Sequence, residues 1–273
     1  MCWNVCDNST IFPTGMLSKN KIKYLRSLEK KKQRQAEGVF LAEGHKTVDD
    51  LLATMSCVYA AALPEWIENN AGIIRREGFP VDAITPDELS KVSLLEHPQD
   101  VVAVFRIPHE EVDGAKIVAS SLCLALDDVQ NPGNLGTIIR LADWFGIGHI
   151  FCSPSTADAY NPKTIQATMG AIARVGIHEC DLVELIRSLP DHTPVYGTFL
   201  DGDNIYGKRL QQHGLIVMGN EGNGISDRVG GLVTDRLLIP NYPDGRATSE
   251  SLNVSIATAI VCGEFRRQAL SPQ

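Results

Sequence analysis

Short, largely apolar runs recur through the second half of the chain, and they constrain its fold more than any other feature. They lie at Leu122–Leu126, Ile150–Cys152, Val195–Phe199, Leu215–Met218 and Leu237–Ile239. Helical stretches follow at Gly136–Phe145, Lys163–Arg174 and Leu252–Phe265. A strand that is apolar at every position leaves no side for water, so its sheet is covered on both faces. Strands alternating with helices achieve this with a mostly parallel sheet.

The first half has a different texture. Ile22, Leu25 and Leu28 recur at helical spacing. Gly38–Ala42 reads as a short buried strand leading into Glu43-Gly44-His45, and Thr47 is placed to cap a helix through Leu52. Further short strands are expected at Cys57–Ala62, Val81–Ile84 and Val101–Phe105. This is a small α/β unit. Residues 1–15 show no period and read as a tail, with a helical pattern beginning at Met16. Around Pro108 and Gly114 the composition turns polar and acidic. The organisation expected is therefore a domain over 16–107, a linker over 108–117 and a second domain over 118–273, which 273 residues suffice to build.

Composition removes several classes. No apolar run approaches the roughly 20 residues that span a bilayer, so no membrane partner is expected. The seven cysteines are scattered, without a C-x-x-C pair, and the N-terminus lacks a secretory pattern. These point to a reducing cytoplasm and against a disulfide framework or a structural metal. A net charge of -8 argues against a generally basic nucleic-acid coat. Yet Lys19, Lys21, Lys23, Arg26, Lys30, Lys31, Lys32 and Arg34 crowd one segment. Such a cluster is either a solvated helix face or a phosphate-contacting patch. Lys30, Lys31, Lys32 and Arg34 are the candidates for phosphate contact.

Chemistry is concentrated at strand ends. Asp127-Asp-Val-Gln-Asn-Pro-Gly-Asn-Leu-Gly-Thr-Ile-Ile-Arg140 joins a strand to a helix, with Gly133 and Gly136 permitting close backbone approach. Arg140 is expected about one turn into that helix, reaching back to the loop mouth. An ordinary glycine turn with a surface arginine is the plain alternative. The spacing is not that of a dinucleotide fingerprint. Leu215-Ile-Val-Met-Gly-Asn-Glu-Gly-Asn-Gly-Ile225 runs from a strand into glycines around Glu221, and no P-loop Lys-Ser/Thr follows. In the third segment Pro240 stops a strand, and Ser251-Leu-Asn-Val-Ser255 opens a helix. Ser251 lacks a G-x-S-x-G elbow, which counts against a nucleophile; a cap or a polar positioning group remains.

Taken in order, Asn131-Pro-Gly-Asn-Leu-Gly-Thr-Ile-Ile-Arg140, Met218-Gly-Asn-Glu221, and Ile239-Pro240 with Ser251-Leu-Asn-Val-Ser255 closely resemble the motifs of the SpoU (TrmH-like) branch of the SPOUT RNA methyltransferases. The resemblance covers about 118–266. Val39-Phe-Leu-Ala-Glu-Gly44 and the basic segment are similar to the family's ribosomal-protein-like substrate-binding domain. It implies an α/β C-terminal domain with a deep trefoil knot, a topology otherwise very rare, and a homodimer packed through it. It also implies S-adenosylmethionine as cofactor and a ribose 2′-OH of structured RNA as acceptor, with ribosomal RNA favoured over transfer RNA. By position, Asn131, Arg140, Glu221, Ser251 and Asn253 would form the catalytic cluster. Thr198, Met218, Gly219, Ile239 and Leu252 would hold the cofactor, and no metal is required. The connection at 241–250 is longer than usual for the family. A non-catalytic RNA-binding protein of the same fold is the alternative, and it would have no need of all five polar residues.

Overall fold

The computed structural model describes residues 17–109, 111–243, 246 and 251–270. The expected tail at 1–15 and most of the long connection at 241–250 fall outside them. Two compact units divide the chain, Met1–Pro108 and His109–Gln273.

The first unit runs α1 (Lys19–Ser27), α2 (Lys31–Glu37), β1 (Val39–Glu43), α3 (His45–Leu52), β2 (Cys57–Ala62), α4 (Pro64–Asn69), α5 (Ala71–Glu77), β3 (Val81–Ala83), α6 (Pro86–Val92) and β4 (Val101–Arg106). Its sheet has the order β1-β4-β2-β3, with β4 antiparallel to β1 and β2 and β3 parallel to β2. Leu25 and Leu28 from the basic segment turn inward onto Val39, Leu41, Val102 and Val104. That burial, rather than helix propensity, holds a nine-residue helix in place. Two helix starts differ from expectation. Ser18 caps α1 through the Lys21 N–H, so the helix begins at Lys19. Thr47 is buried inside α3, because Gly44 at φ 84° turns the chain straight out of β1 and the helix starts at His45.

The second unit runs α7 (Gly114–Ser120), β5 (Leu122–Leu126), α8 (Pro132–Trp144), β6 (His149–Cys152), α9 (Pro162–Thr168), β7 (Gly176–Glu179), α10 (Leu182–Arg187), β8 (Val195–Asn204), β9 (Gly214–Met218), α11 (Asp227–Gly230), β10 (Asp235–Leu238) and α12 (Val254–Leu270). The sheet order is β10-β8-β9-β5-β6-β7, and every pairing is parallel. Steps in one direction from β5 to β6 to β7 place α8 and α9 on one face, where they pack together. α12 joins them, parallel to α8 along its length: Asn253 meets Asn134 at one end, and Arg266 donates to the Phe145 carbonyl at the other. The opposite face is covered from α7, α10 and α11 by Val118, Leu182, Val183, Ile186 and Val229.

Because the strands are parallel, the loops after β5, β8, β9 and β10 open at the same edge of the sheet. In open α/β sheets that carboxyl edge is where ligands bind. No helix among the described residues is long and apolar enough to cross a membrane.

Candidate active site at the carboxyl edge of the sheet

Asp127, at the end of β5, is buried and accepts from the Ser226 N–H at 2.8 Å. Asp128, at φ 61°, offers its carbonyl to the Asn220 amide at 2.8 Å. The β5 loop is thus sewn to the glycine-rich turn after β9. That turn closes on itself through reciprocal Asn220–Gly224 backbone bonds of 2.9 and 3.0 Å, and the Asn220 side chain accepts from the N–H groups of Gly222 and Asn223. Glu221 stands on this turn.

One polar chain crosses the three motif segments. The Asn253 amide donates to Asn134 Oδ1 at 3.1 Å, and the Asn134 amide donates to Glu221 Oε1 at 2.8 Å. Asn253 also caps α12, accepting from the Ser255 N–H and hydroxyl. An asparagine that bridges two partners must keep one amide orientation, so the Glu221 carboxylate is held from a rigid helix start. Asn134 is the residue that sequence reasoning passed over in favour of Asn131. The side chain of Asn131 is engaged as the N-cap of α8, accepting from the N–H groups of Gly133 and Asn134. It presents Asn134 and takes no part in the chain of side chains. Pro132, at the first helical position, was the signal available: a Pro at N1 marks the preceding Asn as a cap.

A cavity of about 450 Å³ adjoins this chain, a size typical of small-molecule sites. Thr198, Met218, Gly219, Ile239 and Leu252 all line it, as do Glu221 and Ser251. Leu237, Leu238, Val254 and Ala257 add apolar wall. Gly219 is required by contact, since a Cβ there would lie 2.2 Å from the backbone of Gly224 and Ile225. Apolar walls, a carboxylate at the mouth and exposed turn backbone fit an adenosyl group with a charged end.

Arg140 differs from expectation. Because α8 begins at Pro132, Arg140 sits more than two turns in, about 12 Å along the axis. It is exposed, bonds to no described residue, and lies outside the cavity lining. It shares the outer face of α8 with Gly133, Thr137 and Trp144.

In the first unit, Lys30, Lys31 and Lys32 are exposed. Arg34 is not part of such a patch: it is 1% exposed, and its guanidinium donates to the carbonyls of Leu28 and Glu29 at 2.7 Å each. Its charge closes the end of α1 against α2, which removes it from the RNA-contact candidates. Lys21 and Arg26 are likewise engaged, by Asp82 and by the carbonyls of Lys91 and Ser93.

Comparison with known proteins agrees with this geometry. Residues 121–263 match the SpoU rRNA Methylase family, and residues 19–103 match the MRM3-like substrate binding domain. The chain is 32% identical to the 23S rRNA (guanosine(2553)-2′-O)-methyltransferase RlmP of Bacillus subtilis, over 90% of this chain and 96% of that one. A putative RNA methyltransferase of the TrmH family from Porphyromonas gingivalis is similar in structure, with a TM-score of 0.83 and 39% identity over 93% of this chain and 100% of its own. An AdoMet-bound rRNA methyltransferase from Sinorhizobium meliloti has a TM-score of 0.83 at 28% identity, over 96% and 100% of the two chains. The family match covers the cavity, the polar chain and the strand-end turns together: the chain belongs to the SpoU rRNA methylase family.

Proposed function

We propose that the chain transfers a methyl group from S-adenosylmethionine to a ribose 2′-OH of ribosomal RNA. The observation that carries this is the Asn253–Asn134–Glu221 chain at the mouth of the cavity. When bound, S-adenosylmethionine would supply a methyl on a sulfonium sulfur: the ribose oxygen forms the new C–O bond in line as the S–CH3 bond breaks, S-adenosylhomocysteine leaves, and the hydroxyl proton passes to solvent. Opposite charges on nucleophile and leaving group cancel along the path, so the protein's main task is alignment, worth roughly 7–11 kcal/mol. Thr198, Met218, Gly219, Ile239 and Leu252 hold the cofactor. Glu221, fixed by Asn134, orients the hydroxyl from the mouth, and Ser251 adds a hydroxyl to the cavity wall. Arg140, whose guanidinium carries N–H donors and no acceptor, donates to the hydroxyl or a neighbouring phosphate.

The same reading includes the threaded knot and a homodimer. Trp144 is 83% exposed on α8 and Ile256 53% exposed on the parallel α12, apolar surface that a second copy would cover.

The protein incubated with labelled S-adenosylmethionine and ribosomal RNA from cells lacking it should place label on one ribose, at a linkage resistant to alkali. Label on a base, or RNA bound without any transfer, would exclude this function. The exposed lysines give a separate readout. Replacing Lys30, Lys31 and Lys32 with alanine should weaken RNA binding and reduce the slope of log affinity against log salt by up to about 2–3, roughly one per lost phosphate contact. An unchanged slope returns them to a solvated helix face.

A further inference from the structure

β8 does not run evenly beside β10. Their register passes from Gly197↔Arg236 directly to Asp203↔Leu237, which leaves 198–202 with no partner in that ladder. The pairing of β8 with β9 also ends at Gly197. The segment Thr198-Phe-Leu-Asp-Gly202 therefore stands out from the sheet at the cavity, and Thr198, Phe199 and Leu200 line it.

Side chains fix its shape. Glycines stand at its departure and its return. A Cβ on Gly197 would meet the Phe199 ring at 2.7 Å and Val233 at 2.9 Å; one on Gly202 would meet the backbone of Leu237 at 2.7 Å. The Phe199 ring so admitted lies beside Gly197 and Gly230. The Arg236 guanidinium stands over this ring, 3.5 Å from its centroid. Arg236 in turn donates to Asp201 Oδ1 at 2.6 Å, which holds that carboxyl below its usual range. A cation stacked on one residue of the bulge and bonded to another restrains both. Leu200, between them, is left 76% exposed at the cavity, an apolar side chain presented to an open site. Leu252, another lining residue, is 47% exposed.

We propose that residues 198–202 form a preset clasp for the adenosyl cofactor, with Leu200 as the contacting residue and Arg236 as the positioning residue. The proposal rests on the cofactor reading of the cavity. The flat, apolar face of an adenine is the part of that cofactor suited to cover Leu200, while Arg236 acts through Phe199 and Asp201 without touching the ligand. Restraining the bulge before binding spares the ordering cost at the moment of binding. The consequence falls on affinity for the cofactor, not on the rate of transfer.

Calorimetric titration with S-adenosylmethionine and with S-adenosylhomocysteine tests this, with unfolding midpoints recorded without ligand. Leu200→Ala should bind both about tenfold more weakly, with an unchanged midpoint, because the side chain is exposed in the free protein. Arg236→Ala should bind about fivefold more weakly and raise the cofactor KM to match, with kcat unaltered. Arg236→Lys keeps a cation over the ring and should recover most of the affinity. Adding Phe199→Leu to Arg236→Ala should cost little more, since both act through one contact. Leu200→Ala binding as the unaltered protein does, or Arg236→Ala lowering kcat at unchanged KM, overturns the clasp. Failure of the unaltered protein to bind either ligand overturns the cofactor reading itself.

Discussion

Arg140→Ala is expected to slow methyl transfer by about 10²–10³-fold, the usual effect of removing one preorganised donor. Cofactor binding should stay intact. The residue is exposed, bonds to no described neighbour and lies outside the cavity lining, so its removal leaves no buried group unsatisfied. A loss of rate at an unchanged unfolding midpoint and oligomeric state therefore reports its action on RNA in the transition state, not a damaged fold. Arg140→Lys keeps the charge but loses the planar fork of donors, and should fall between the two. Single-turnover rates at saturating cofactor and RNA are the measurement, with calorimetry for cofactor affinity. Full turnover by Arg140→Ala would remove the role assigned to it.

What could be read from the sequence, and what could not, follows from burial. β5, β6 and β9 were visible because their buried cores are continuous apolar runs, while β8 showed by its apolar start at Val195-Tyr196 and β10 only by its apolar end at Leu237-Leu238. β7 was not. It is the edge strand, half-exposed, and its Gly-Ile-His-Glu carries a histidine that bonds His149 across the ladder, so no apolar run marks it. The three strand-end segments were legible as a site because parallel strands bring their carboxyl ends to one edge. Which asparagine serves the site was not, because that depends on where α8 begins, and a four-residue error in the helix start moves Arg140 by a full turn. Arg34 misled for a related reason. Within a run of cations, charge carries no information on burial, and only the fold reveals that its guanidinium is spent on two carbonyls.

The turn after β9 has less room for change than any other part of the site, and Gly219→Ala should expose this. The added Cβ would lie 2.2 Å from Gly224 C and Ile225 N and 2.4 Å from Gly224 O. All three are backbone atoms, so no side chain can swing aside. Relief requires opening the Asn220–Gly224 turn, which is closed by two backbone bonds and tied to Asp128 by the Asn220 amide. Overpacking of this kind costs about 1–3 kcal/mol, visible as a lower midpoint in urea. Glu221 rides on that turn, so its bond to Asn134 should be lost along with the cavity wall. S-adenosylmethionine binding should fall by at least about tenfold, since 1.4 kcal/mol of lost wall contact already amounts to that. Gly222→Ala is the matched control: the nearest atom to its Cβ is Asn220 Oδ1, at 3.5 Å. It stands on the same turn and adds the same methyl group, yet should leave both stability and binding nearly unchanged. If the two variants behave alike, turn composition rather than close packing governs the site, and the steric argument fails.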